Sequence, residues 1–143
     1  MVCDCKIIWV LLCTLISNSA YGLIAPFLPP VFKQKGLSGE LIGLMIGAYS
    51  IAVMLCSPFI GRIMKWAGNT NMIATGLLVM GLAFLGFGVI DLVNSEIIIA
   101  SAGFLLRFLQ GASSACIQTS CYSIVTNDYP DSKECIVGWL EGV

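Results

Sequence analysis

The charged residues of this sequence stand at the ends of long apolar runs, not among them. Uncharged stretches cover Ile7 to Phe32 (26 residues), Leu41 to Gly61 (21) and Ala67 to Ile90 (24). A fourth, Ile97 to Asn127, holds one charge, Arg107, in 31 residues. A helix rises about 1.5 Å per residue, so about 20 apolar residues cross the roughly 30 Å hydrocarbon layer of a bilayer. Each run is therefore expected to be a crossing helix. After the polar turn from Asn127 to Glu134, apolarity resumes at Cys135 and holds to Leu140, close to the last residue, Val143. This reads as the first turns of a fifth span. A β-barrel does not fit, because the runs are about twice the length of a barrel strand and lack its inside/outside alternation.

The expected fold is all-α: a polytopic membrane protein with transmembrane helices at about 7-30, 41-61, 69-90 and 97-120, and an incomplete fifth at 135-143. The connections Lys33 to Glu40, Arg62 to Trp66 and Asp91 to Glu96 are short, which makes successive spans antiparallel neighbours. An amino terminus in the cytoplasm puts four bases inside (Lys6, Arg62, Lys65, Lys133) and two outside (Lys33, Lys35), the orientation that the positive-inside rule prefers. Two alternatives attach to the amino end. Lys6, the apolar Ile7 to Ile16 and the small Ser17 and Ser19 imitate a cleavable signal peptide, whereas the run continuing to Phe32 makes a full span if nothing is removed. Cys3-Asp4-Cys5 is either a site for a palmitoyl chain or an inert pair.

Composition agrees with a lipid environment. Apolar residues make up 58% of the chain and charged ones 10%, too greasy a balance for a small fold surrounded by water. A net charge of −1 supplies no basic field for nucleic acid, and the absence of histidine removes the commonest metal ligand and general base. Cys13, Cys56, Cys116 and Cys121 fall inside apolar runs and read as small buried hydrophobes, not as disulfide partners. No nucleophile with its base, phosphate loop or metal cluster is visible. An enzyme is not expected, nor a cofactor or metal.

The residues that depart from plain apolarity carry the functional reading. Arg107 near the middle of a span costs about 2.5 to 3.5 kcal/mol on insertion scales, so it needs partners or water. Gln110, Gly111, Ser114 and Gln118 follow it at three, four, seven and eleven residues and share its helix face. This face is either the wall of an aqueous pathway for a proton or an anionic group, or the setting of a structural arginine bound to neighbouring carbonyls. In the second span Gly43-x-x-x-Gly47 makes a seam for close helix packing, and in the third Ala74, Gly81 and Gly88 recur at heptad spacing, with Gly76 and Gly86 nearby. Asn18 in the first span either binds a ligand or hydrogen-bonds to another helix. Pro26, Pro29 and Pro30 remove backbone donors and are expected to bend or end that helix.

Arg107-Phe-Leu-Gln110-Gly111 resembles the R-x-x-Q-G signature in the fourth helix of major facilitator transporters. The stretch Gly61-Arg-Ile-Met-Lys65-Trp-Ala-Gly68-Asn69 is similar to that family's loop G-x-x-x-D-R-x-G-R, with its glycines kept. Lys65 stands in place of the acid, and Trp66 and Asn69 in place of the bases, so the loop's charge relay does not carry over. Pro26-x-x-Pro29 resembles the P-x-x-P of the drug:proton antiporter branch. Ser57-Pro-Phe-Ile-Gly61 and Leu140-Glu-Gly142 look closest to the vesicular amine and polyamine transporters, although no carboxylate occupies the first span where amine carriers have one.

The resemblance implies a proton-coupled antiporter of small organic solutes, amines or organic cations, that works by alternating access in the plasma membrane or a vesicle membrane. Arg107, Gln110, Asn18 and Gln118 would line the substrate or proton pathway, Gly111 would shape the same wall, and Gly61 and Gly68 would serve the cytoplasmic gate. The sequence covers about a third of a twelve-helix carrier, which points to a truncated product, a gene fragment or an incomplete chain whose partner is the remainder of the transporter. Two rivals stand beside this reading. A small four-helix dimeric transporter needs an embedded carboxylate, and no Asp or Glu lies inside any of the four runs. A tetraspan structural or assembly subunit would use the glycine seams to dock on a partner.

Overall fold

The chain is seen in a computed structural model that describes residues 5–90, 95–130 and 132–142. Its helices are α1 (Cys5–Gln34), α2 (Gly39–Ala67), α3 (Asn69–Ile90), α4 (Glu96–Asp128) and α5 (Lys133–Gly142). The first four are long and apolar enough to cross a membrane, and there is no strand among the described residues. Cys3 of the acylation reading, Asp91 of the third connection and Val143 lie outside the described residues.

The helix ends follow local chemistry. Ser38 caps α2, its Oγ accepting the Leu41 N–H at 3.5 Å, and Glu40 in the first turn complements the helix dipole. The stretch Arg62 to Trp66, expected as a connection, instead continues α2 to Ala67. The reversal is made by Gly68 alone, at φ +80°, where a side chain would be strained, and its N–H bonds to the Met64 carbonyl at 3.0 Å.

Of the two outcomes expected for the prolines of α1, ending the helix is ruled out, because it runs through Pro26, Pro29 and Pro30 to Gln34. Leu28 and Phe32, buried against Leu37, Ile42, Met45 and Ile99, hold this segment in place despite its lost donors. Buried neighbours commonly make proline tolerable in membrane helices.

The spans alternate in direction. Lys6 at the start of α1 pairs with Asp128 at the end of α4 at 3.5 Å, and Asn69 at the start of α3 donates to Ser123 near that same end at 3.3 Å. Succession along the chain does not decide who packs with whom. Helix α4 sits in the middle, with α2 and α3 laid along it, α1 touching it more lightly and α5 starting up between α4 and α1. The successive pairs α1–α2 and α2–α3 touch far less than the successive pair α3–α4, so nearness in the chain does not set how closely two spans pack.

Glycine explains this arrangement. A Cβ on Gly111 would run into the backbone carbonyl of Tyr49, and one on Gly76 would lie 2.8 Å from Ile117. In contrast, nothing lies within 4 Å of a Cβ at Gly43, Gly47, Gly81 or Gly88. The close contacts therefore fall at Gly103 and Gly111 of α4 and at Gly76 and Gly86 of α3, not at the Gly43–Gly47 pair or the heptad row.

Candidate functional site

Two apolar clusters flank a polar layer in the bundle. One gathers Leu28, Phe32, Ile42, Met45 and Ile99 at one end, and the other gathers Val10, Ala20, Met80, Ile117, Cys121 and Val125 toward the opposite end. Between them, α4 turns its polar face toward α1 and α2.

Ser114 is the hub of this layer. Its Oγ accepts from the Tyr49 hydroxyl at 2.8 Å and from Gln118 Nε2 at 3.4 Å, and lies 3.1 Å from Ser17 Oγ. A hydroxyl has one proton and two lone pairs, so with both lone pairs taken, the Ser114 proton is available to Ser17. Gln118 Nε2 also donates to Asn18 Oδ1 at 3.4 Å, which ties α4 to α1 a second time. Ser17 and Ser114 are fully buried, while Asn18 and Gln118 are half-buried.

Arg107 lies two turns up the same face and is completely enclosed. Its Nη1 donates to Gln110 Oε1 at 3.3 Å, and the Phe87 ring of α3 stands 5.7 Å from the guanidinium carbon, a cation–π distance. Nε and Nη2 have no hydrogen-bond partner among the described residues. Tyr21 of α1 and Tyr49 of α2, stacked at 4.6 Å between ring centres, are within electrostatic reach of its charge. Among the described residues, aromatic rings and one amide are the partners of the cation and no ion pair is formed with it, and the edge formed by Nε and Nη2 is the one that can grip a carboxylate or phosphate in a fork.

The fold thus gathers Arg107, Gln110, Gly111, Gln118 and Asn18 in one seam. Gly111 belongs to it by letting the α2 backbone approach at Tyr49. The other candidates lie elsewhere: Gly43 and Gly47 on an open face of α2, Gly61 inside α2 near its end, Gly68 at the reversal, and Pro26 and Pro29 in the second half of α1. Tyr49 and Ser17 complete the seam without having been singled out by the sequence. The signal for Tyr49 is a hydroxyl inside an apolar run, which needs a partner where water is absent; Ser17 offers a weaker form of the same signal.

Comparison with known proteins places this geometry. The Major Facilitator Superfamily profile matches residues 10–136. The chain belongs to that superfamily. Its members are membrane transporters and not enzymes, and the chain is an integral, multi-pass membrane protein with part of the superfamily's fold. It is similar to the MFS-type transporter SLC18B1 of Homo sapiens, 29% identical over 125 residues that make up 87% of this chain and 27% of that protein. It is also similar to multidrug resistance protein 2 of Bacillus subtilis, 33% identical over 74% of this chain and 25% of that protein. Quinolone resistance protein NorA of Staphylococcus aureus is 34% identical over 48% of this chain and 18% of that protein. The chain therefore spans about a quarter of the length of the human and Bacillus relatives it matches. No solved structure gives a significant match.

Proposed function

We propose that this chain supplies the first helices of a proton-coupled antiporter for small organic cations or amines, operating by alternating access once joined to the rest of a carrier. The observation that carries the reading is Arg107, an enclosed guanidinium with Nε and Nη2 unpartnered, on the same α4 face as Ser114 and Gln118. A charge held at membrane depth is costly, and such groups mark pathways for ions, protons or substrates. Arg107 and Gln110 form one wall of that pathway, Gln118 and Asn18 offer amides to the solute, and Gly111 keeps the wall close to α2. Gly61 and Gly68 serve the gate at the end bearing Lys6 and Lys133, which faces the cytoplasm of a plasma or vesicle membrane. Two relatives named for multidrug and quinolone resistance support small organic solutes as the cargo class.

The test is Arg107→Ala in the protein that carries this chain, reconstituted in vesicles with an imposed pH gradient. Uptake is expected to fall at least tenfold while the amount of inserted protein is retained, with Arg107→Lys between the two. Unchanged uptake in Arg107→Ala would assign the guanidinium to packing alone.

A further inference from the structure

Members of the polar seam differ in what a solute can touch. Arg107, Ser17 and Ser114 are fully enclosed, whereas Asn18 and Tyr21 of α1, Tyr49 of α2 and Gln118 of α4 are half-buried and keep part of their surface free. The enclosed groups hold the half-buried ones in place. The Tyr49 hydroxyl donates to Ser114 Oγ at 2.8 Å, and Gln118 Nε2 donates to Ser114 Oγ and to Asn18 Oδ1, each at 3.4 Å. Tyr21 follows Asn18 by three residues on the same face of α1. Its ring lies on that of Tyr49, with 4.6 Å between ring centres and 28° between planes. Helices α1 and α2 otherwise touch lightly, so a stacked pair of rings bridges them.

The chemistry of this surface is selective. An aromatic face attracts a cation and stacks on another flat ring. Among the described residues of the four spans, the carboxylates are Glu40 and Glu96 in first turns and Asp128 as the last residue of α4. The side chains tied together in the seam are thus hydroxyls, amides and one guanidinium. That guanidinium, always charged, is within electrostatic reach of both Tyr21 and Tyr49 and forms no ion pair among the described residues. Its field opposes every positive charge brought to the rings. For a flat ring system with one delocalised charge, stacking offsets that repulsion. A second charge adds repulsion with nothing to offset it.

We infer that Tyr21 and Tyr49 form the seat for a planar aromatic solute with a single positive charge, and that Arg107, without touching it, turns away solutes of higher charge. This narrows the organic-cation reading given above and rests on it. A flexible aliphatic polyamine, with several charges and no ring, fails on both counts. The amides of Asn18 and Gln118 are left to orient the polar substituents of the solute.

The experiment measures binding to the whole carrier, purified in detergent and held at one pH, so that affinity is read without transport. Ethidium serves as the flat monocation, propidium as the same ring system with an added quaternary ammonium, and tetrapropylammonium as a monocation without a ring. Ethidium is expected to bind more tightly than both, and about tenfold more tightly than propidium, the scale of repulsion between like charges about 10 Å apart at a protein-like dielectric. Tyr21→Leu is expected to remove most of the preference for ethidium over tetrapropylammonium, and Tyr21→Phe, which keeps the ring, to retain it. Arg107→Gln is expected to bring ethidium and propidium close to equal, and Arg107→Lys to keep them apart. Each variant is read as a ratio of two ligands on the same protein, and the wild-type ratios stand even where a variant cannot be recovered. Equal binding of ethidium and tetrapropylammonium to the wild type, or an undiminished preference in Tyr21→Leu, overturns the seat. Propidium bound as tightly as ethidium, or an unchanged ratio in Arg107→Gln, overturns the part given to Arg107. Wild-type protein that shows the expected ratios but no pH-driven ethidium uptake in vesicles overturns the proton-coupled reading and leaves the seat standing.

Discussion

Helices α1 and α4 are similar in length and opposite in surroundings. Twelve of the 33 residues of α4 are buried, including Arg107, Gln110, Ser113, Ser114 and Ser120, against six of the 30 in the more apolar α1. Helix α1 leaves Trp9, Leu12, Leu15, Leu23 and Phe27 exposed. In water this would be a misfolded distribution. In a bilayer it is the expected one, since lipid tails solvate leucine as well as a protein core does, and helices associate through small residues and hydrogen bonds. The least apolar of the four crossing helices therefore takes the centre, and the greasier ones face outward.

The strongest way to break this contrast is to add one carbon where α4 meets α2. Gly111→Ala places a methyl against the Tyr49 carbonyl and 2.8 Å from the Ala52 Cβ, and backbone cannot swing aside as a side chain does. We expect a loss of about 1 to 3 kcal/mol, or failure to recover monodisperse protein. Alanine is otherwise the better helix former by about 1 kcal/mol, so the sign should reverse at Gly43→Ala, where nothing lies within 4 Å. Unfolding midpoints in detergent check the pair, and equal shifts at both positions would remove the packing account of α4.

This pair also marks how much the sequence discloses. Four apolar runs between charges are legible because hydrocarbon thickness sets their length, and Arg107-x-x-Gln110-Gly111 is legible because a charge in such a run is rare. Which glycine is used is not legible, because Gly43-x-x-x-Gly47 and Gly111 look equally suited to close approach. The choice depends on which helices meet, and that follows from the whole bundle, not from neighbours in the chain. That the prolines of α1 do not end it has the same reason: burial of Leu28 and Phe32 overrides a local preference.

A smaller effect is expected in the seam between the two helices. Ser114→Ala removes the acceptor for Tyr49 and one of those for Gln118, along with the contact to Ser17. Hydrogen bonds between membrane helices average about 0.6 kcal/mol each, because the separated helices find other partners. A loss of about 1 to 2 kcal/mol is expected, read as a lower unfolding midpoint. The backbone at Gly111 should be unaffected, so the Gly111→Ala effect should persist in the double variant. A change within error at Ser114→Ala would mean that the Ser17 contact adds nothing to the seating of α1 on α4.

The smallest effect should come from the ion pair that links the same two helices at their ends. Lys6 and Asp128 stand 3.5 Å apart, with side chains 73% and 43% exposed. An exposed pair gains little, because water and salt screen it and two flexible side chains must be ordered to hold it. Lys6→Ala is therefore expected to shift the unfolding midpoint by less than about 0.5 kcal/mol, and that shift should fade as salt is raised. Ser114→Ala should be insensitive to salt, since its bonds are neutral and enclosed. If Lys6→Ala instead cost more than Ser114→Ala, the attachment of α1 would lie at the water-facing end. The polar seam would then be only the lining of a pathway, with no part in holding the helices together.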